Sequence, residues 1–397
     1  MQARITYPLL AWVLLSPVLG DCSINPSGPS TSILPDPFTN GDGRAVTTLA
    51  DWECRQQEIS TIFQQAELGQ MPPAPESISA TYSAGRLSIT VGDAGKEITF
   101  EVSISGQGNG PTPAIIAYDG GSIPVPDGVA TITFSISEIA AQQDSSSRGQ
   151  GLFYDLYGTD ASAGAMMAWS WGVSRIIDAL EATPSANIDP TRIGVTGCSR
   201  SGKGAFVAGA LEPRVKLTIL QESGSGGAAC WRLSDYQQSQ GQEVQTASEI
   251  VTENVWFSTA FEDYAHSVNS LPVDHHLLAG LVAPRPLFII ENLDYEWLGT
   301  LSCYGCMTAA RKIYTALNAT DSMGFSQSGG HAHCQFPSSK QSEIFAFMQR
   351  FLLDQKADTG IFYSDGDFDL DEHAWMPWTL PTIPGAEPLR TLGIRVW

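Results

Sequence analysis

The sequence predicts an α/β fold: a three-layer sandwich around a mostly parallel, twisted sheet that begins with antiparallel strands. Three observations lead there. Short apolar runs of strand character alternate with amphipathic helical stretches, the pattern of a parallel sheet covered on both faces. One run, Ile193-Gly194-Val195-Thr196, enters Gly197-Cys198-Ser199-Arg200-Ser201-Gly202-Lys203-Gly204-Ala205 and leaves through small residues. That order spells a strand, a sharp turn and a helix packed close to the sheet. Ahead of it, residues 78–105 alternate through Leu87, Ile89 and Val91, then Ile98, Phe100, Val102 and Ile104, with Gly92-Asp93-Ala94-Gly95 between the runs, a hairpin signature.

The other elements follow in order. Residues 23–45 are rich in Pro, Ser, Gly and Asp and read as irregular chain. From Leu49 to Gln70, Trp52, Ile59, Ile62, Phe63 and Leu68 recur at helical spacing. Pro113 to Asp119 reads as a buried strand ending in a Gly-Gly turn, and 142–162 as a surface loop. Ala163 to Leu180 is a helix with Trp169, Val173, Ile176, Ile177 and Leu180 on one face. Leu217 to Gln221 is the strand after the turn helix. Gly224 to His276 has weak periodicity and reads as an insertion over the sheet. Pro286 to Asn292 is a buried strand, Thr308 to Leu317 a helix, and Gln341 to Leu353 the last helix.

Composition narrows the function. The chain has 397 residues, 43% of them hydrophobic and 16% charged, as expected of a globular enzyme with a sizeable core. A formal net charge of −21 disfavours nucleic acid and anionic membranes as partners. Residues 1–20 carry Arg4, an apolar stretch from Leu9 to Leu19 and small residues before Asp21, which reads as a secretory signal peptide. The expected organisation is therefore a signal peptide, 1–20, and a single catalytic domain, 21–397, secreted and monomeric. Seven cysteines, Cys22, Cys54, Cys198, Cys230, Cys303, Cys306 and Cys334, should mostly pair in an oxidising compartment, with one left over. Cys303-x-x-Cys306 has no second such pair, and the acidic run 365–372 lacks the sixth-place glycine and twelfth-place glutamate of a calcium loop, so no metal or cofactor is expected. Asn318-Ala319-Thr320 is a glycosylation sequon.

The chemistry gathers at Ser199. A serine lifted above a sheet by a strained strand-to-helix turn is the nucleophile elbow of the α/β-hydrolases, although here the second glycine of G-x-S-x-G comes one place late, at Gly202. Serine needs a base oriented by a third group. His331 and His333, before the last helix, occupy the expected place for the base. His275 and His276 read as structural or surface residues. Cys198 precedes Ser199 and Cys334 follows His333. A bridge between them would clamp nucleophile to base, which favours His333. For the acid, Glu222 ends one strand and Asp294 follows another; spacing leaves both open.

At this point Gly197-Cys198-Ser199-Arg200-Ser201-Gly202-Lys203 resembles the G-C-S-R-x-G-K signature of the secreted, fungal-type glucuronoyl esterases. The likeness extends from Trp52-Glu53-Cys54-Arg55 through Glu222 to Gly330-His331-Ala332-His333-Cys334-Gln335-Phe336-Pro337, and on to Trp375 and Trp378. It implies an α/β-hydrolase cleaving the ester between glucuronic acid of glucuronoxylan and lignin alcohols. By the same resemblance Ser199 is the nucleophile, His333 the base and Glu222 the acid. Arg200 supports the oxyanion, and Lys203, Gln245, Glu253 and Trp297 hold the sugar. The implied bridges are Cys22–Cys54, Cys198–Cys334 and Cys230–Cys306; the extra Cys303 departs from the pattern. Two other readings remain: another hemicellulose esterase, acetyl or feruloyl, and a non-catalytic wall-binding protein on a hydrolase fold.

Overall fold

The period-2 pattern of residues 77–105 folds as a meander of β1 (Ser77–Ser83), β2 (Arg86–Asp93) and β3 (Lys96–Ser105). Leu87, Ile89 and Val91 lie opposite Val102, Phe100 and Ile98, so one face of the meander is buried and the other polar. The computed structural model describes Cys22 and residues 30–384; the expected signal peptide lies outside the described residues. Six more strands continue the sheet: β4 (Thr112–Tyr118), β5 (Ala130–Phe134), β6 (Ile188–Cys198), β7 (Val215–Gln221), β8 (Leu287–Asn292) and β9 (Met323–Ser328). A short β10 (Phe362–Ser364) closes the edge. The order is β1-β2-β3-β5-β4-β6-β7-β8-β9-β10. Pairing is antiparallel as far as β3–β5 and parallel from β5 to β10.

The parallel strands bury both faces. Ile116, Leu220 and Ile289 enter a large core with the helices Ala165–Ala182, Arg200–Leu211, His275–Val282 and Thr300–Ala316. Their neighbours Ile115, Ile219 and Ile290 enter a second core under the helix Gln341–Phe351, with Ile344, Phe347, Met348 and Phe351. This is the expected three-layer sandwich. The turn helix needs its small residues: a Cβ at Gly209 would sit 2.1 Å from Thr218 Oγ1 on β7.

The structure corrects several sequence boundaries. β5, β9 and β10 add to the strands expected from sequence. β5 is short, and β9, Met-Gly-Phe-Ser-Gln-Ser, is polar yet fully buried because β8 and β10 satisfy its backbone. The expected loop 142–162 contains a helix, Leu152–Tyr157, that buries Phe153, Tyr154 and Leu156. The helix expected from Thr308 starts at Thr300, which places Cys303 and Cys306 one turn apart on it. The segment Gly224–His276 forms no strand and carries the helices Trp231–Ser239 and Ala247–Glu253. Polar groups tie it down. Arg232 Nη1 pairs with the buried Asp274 at 3.1 Å and also donates to the Val273 carbonyl. His275 Nε2 lies 2.7 Å from Glu67 Oε1. His275 and His276 are thus buried structural residues. No helix among the described residues is long and apolar enough to cross a membrane.

Three disulfides join Cys22 to Cys54, Cys198 to Cys334 and Cys230 to Cys306, and Cys303 is a buried free thiol. Burial, then the nearby Glu291 carboxyl, pushes the Cys303 thiol well above its ordinary pKa, so it stays protonated and unreactive.

Two predictions follow from this packing. Gly209→Ala should cost about 1–3 kcal/mol, since Thr218 or the helix must move; an unchanged denaturant midpoint would reject the close approach. Alkylation before reduction should label no cysteine in the native protein and Cys303 alone after unfolding; label on Cys198 or Cys306 would contradict the pairing.

Candidate active site

β6 delivers the serine. Its last residue is Cys198, and Ser199 turns the chain at φ 57°, ψ −128°, a strained backbone for a side chain other than glycine. The turn closes only because Gly197 has no Cβ: one there would lie 2.4 Å from the Ser201 carbonyl. Ser199 N–H donates to the Gln221 carbonyl at 2.9 Å, and Lys203 N–H returns to the Ser199 carbonyl at 3.0 Å. The elbow is therefore welded to the end of β7.

The next residue on that strand is Glu222, at φ 46° and with no solvent exposure. Its Oε2 takes His333 Nδ1 at 2.8 Å and Cys334 N–H at 3.0 Å. Its Oε1 takes Gln221 Nε2 at 2.8 Å. Burial opposes the charge, but the hydrogen bonds from His333, Gln221 and Cys334 outweigh it and hold the carboxyl below its ordinary pKa. His331 Nδ1 is farther away, 3.6 Å from Oε1. His333 Nε2, the opposite ring nitrogen, is shielded from solvent and has no hydrogen-bond partner. Asp294 is exposed and accepts from Gly330 N–H at 2.6 Å, so it fixes the loop before the histidines rather than the imidazole.

Covalent geometry agrees with this. The Cys198–Cys334 bridge, with Cα atoms 5.8 Å apart, joins the immediate neighbours of Ser199 and His333. Donor atoms of Cys198, His333 and Cys334 lie within 4.8 Å of one another, but both sulfurs are used in the bridge, so this trio cannot ligate a metal.

Around these groups stand the other residues expected from sequence. Arg200 Nη1 donates to Gln142 Oε1 at 3.3 Å, and its guanidinium lies 5.1 Å above the Trp256 ring. Lys203 is 3% exposed; Nζ donates to the Ser223 and Ser225 carbonyls at 2.6 and 2.5 Å and lies 5.9 Å from the same indole. Burial is the main reason its pKa falls to about 8. The Trp297 ring meets His333 edge-on at 4.8 Å and is 38% exposed. Gln245 N–H donates to the Trp297 carbonyl at 3.1 Å, and Gln245 Nε2 to Glu253 Oε2 at 2.5 Å. Asn318, in the sequon, is exposed on a turn at the end of the helix Thr300–Ala316.

Several contributors escaped the sequence reading. Tyr295 takes the His333 N–H on its hydroxyl at 2.9 Å. Gln142 and Trp256 come from two loops and hold Arg200. Gln221 and Glu291 are polar residues at the ends of apolar strands, and that placement is their signal in the sequence. Glu291 Oε1 accepts from Ser223 N–H at 2.9 Å and Gly224 N–H at 3.2 Å; burial is the main cause of its pKa rising to about 7.

Comparison with known proteins adds the family. Residues 89–318 match the family model described as glucuronyl esterase, fungi. The 4-O-methyl-glucuronoyl methylesterase of Podospora anserina is 55% identical over 377 residues, covering 92% of this chain and 78% of that protein. That of Schizophyllum commune is 54% identical, covering 90% and 93%. The glucuronoyl esterase catalytic domain from Hypocrea jecorina superposes with TM-score 0.87 at 55% identity over 89% of this chain and 98% of that one. A serine-to-alanine mutant of the Sporotrichum thermophile enzyme, solved with methyl 4-O-methyl-beta-D-glucopyranuronate, gives TM-score 0.88 at 49% identity over 91% and 98%. With its elbow, its buried acid and this extent of identity, the chain belongs to the fungal glucuronoyl esterase family.

Proposed function

We propose that this protein is a secreted serine esterase that hydrolyses esters of 4-O-methyl-D-glucuronic acid, the natural substrate being glucuronoxylan esterified to lignin alcohols. The observation that carries the reading is the Glu222–His333 contact at 2.8 Å, bridged covalently to the elbow serine's neighbour, with His333 Nε2 left unpartnered. The relatives' activity and the methyl glucuronate ester bound to one of them support the substrate class.

In this mechanism Ser199 Oγ attacks the uronoyl carbonyl and passes its proton to His333 Nε2. Negative charge develops on the carbonyl oxygen, where the Arg200 guanidinium and backbone N–H groups stabilise it. The imidazolium returns the proton to the departing alcohol, leaving the uronoyl–Ser199 ester. Water, deprotonated by the same nitrogen, then releases the acid and restores the serine. Glu222 holds the Nδ1–H tautomer and stabilises the imidazolium. Lys203 spends two N–H groups on carbonyls and offers its third to a sugar hydroxyl. Gln245 and Glu253 bind further hydroxyls, and Trp297 supplies a flat apolar face beside His333. The catalytic unit is residues 21–397, acting as a monomer without cofactor after removal of residues 1–20, and Asn318 carries glycan.

Ser199→Ala should abolish release of benzyl alcohol from benzyl glucuronate with the fold intact. Glu222→Gln should lower kcat by about 10³–10⁴-fold, as loss of the orienting acid does elsewhere, and Asp294→Asn by far less. Turnover by Ser199→Ala, or a worse defect in Asp294→Asn, would sink the assignment. A preference for acetylated or feruloylated xylan would favour the other esterases, and binding without turnover the non-catalytic reading.

The Lys203 ammonium, with its pKa lowered to about 8, is charged below that pH and neutral above it. KM should therefore rise as pH passes upward through about 8. An unchanged KM across that range would remove Lys203 as a cationic contact.

A further inference from the structure

The polar link between the elbow, the acid and the loop after β4 runs through one side chain. Gln221 ends β7 with no solvent exposure. Its carbonyl accepts the Ser199 N–H at 2.9 Å. Its side-chain Nε2 donates to Glu222 Oε1 at 2.8 Å, and its Oε1 accepts from Ser122 Oγ at 2.6 Å. Ser122 follows the turn Asp119-Gly120-Gly121, which carries positive φ at all three residues. The amide can face only one way. Reversing it would set its oxygen against the Glu222 carboxylate, which has only acceptors to offer.

We propose that Gln221 is a positioning residue for ester hydrolysis: its amide, anchored on Ser122, fixes Glu222 Oε1 so that Oε2 stays aligned on His333 Nδ1. This inference rests on the Ser199–His333–Glu222 reading. The geometry gives it a specific role. A glutamate side chain has three torsions, and its carboxylate must hold one oxygen on the imidazole. His333 Nδ1, the Cys334 amide and, at 3.4 Å, Asn292 Nδ2 all fall on Oε2. On Oε1 the Gln221 amide is the hydrogen bond within 3.5 Å, His331 Nδ1 lying at 3.6 Å. Without it Oε1 loses its hydrogen bond and the last torsion is held from the Oε2 side only, and small misplacement in a catalytic array is costly. The same donor favours the ionised form of Glu222. The titratable groups facing that carboxylate are His333 and His331 on the loop after β9 and Glu291 on β8. Removing Gln221's donor makes protonation of Glu222 easier, so the inactive form appears at higher pH and the acid limb of the rate profile moves up.

The test uses the whole enzyme with benzyl glucuronate. Gln221→Met keeps the length and loses both hydrogen bonds. It should lower kcat by roughly 10–100-fold, leave KM within about twofold, and move the acid limb of kcat/KM to higher pH. Gln221→Glu keeps an acceptor for Ser122 but sets a second carboxyl beside Glu222; its acid limb should move up further, which keeps the test open if the Met variant folds poorly. Ser122→Ala should lower kcat only a few-fold and add nothing on top of Gln221→Met. A lowered melting temperature with kcat and the acid limb unchanged in both Gln221 variants would make Gln221 merely structural and overturn the proposal. Full additivity of the Ser122 and Gln221 changes would overturn the anchoring through Ser122. A fully active Glu222→Gln would instead overturn the triad reading and this inference with it, whereas an inactive Glu222→Gln beside a wild-type-like Gln221→Met would overturn this inference alone.

Discussion

A carboxylate with no access to water is the constraint on which the rest of the site depends. Glu222 sits at the carboxyl edge of the sheet, where an isolated charge would be expelled or neutralised. It is kept ionised by donors from three separate parts of the chain: the β7 neighbour Gln221, Asn292 at the end of β8, and the adjacent His333 ring and Cys334 backbone. Each donor is also a positional constraint. The interaction that stabilises the charge is thus the one that fixes the imidazole. The positive φ of Glu222, like that of Ser199, is strain that the surrounding sheet and disulfide hold in place.

The bridge and the hydrogen bonds address the same problem from different sides. Cys198–Cys334 closes 136 residues of sequence, for which chain entropy gives an upper figure of about 5 kcal/mol. It brings the two backbones together but leaves rotation of the imidazole open. Glu222 removes that freedom by its bond to the ring, while the Tyr295 hydroxyl accepts the His333 backbone N–H and fixes the main chain. Asp294, at the position where this fold more often carries its acid, is spent on the Gly330 amide instead. In the proposed mechanism the acid therefore sits one strand inward, under cover, and the loop that carries Asp294 shapes the histidine segment.

Behind the elbow lies a second buried polar group of Lys203, Glu291, Cys303 and the Ser223–Ser225 turn. Glu291 holds the turn by its N–H groups, and the turn holds Lys203 by its carbonyls. Desolvation moves the lysine down to about 8 and the carboxyl up to about 7, each toward neutrality. A lysine poised in this way keeps its direction without a solvated ion pair.

The fold class, the elbow and the family were legible in the sequence because they rest on local chemistry. Period-2 alternation, the small residues after Ser199 and the cysteines flanking Ser199 and His333 need no partner to be seen. β9 was not legible: Met-Gly-Phe-Ser-Gln-Ser has no strand pattern of its own, and only pairing with β8 makes it one. The choice between Glu222 and Asp294 was equally closed to spacing, since both end near the sheet edge. The proposed choice of Glu222 rests on the tertiary structure, which buries that carboxylate against His333 and leaves Asp294 exposed on a loop amide. Gln142, Trp256 and Tyr295 carry no sequence signal at all, because their roles exist only where distant loops converge. A sequence determines which side chains can do the chemistry and which backbone turns they favour. Distances between residues far apart in the chain, and the loss of water that gives those contacts their strength, arise only once the sheet has closed.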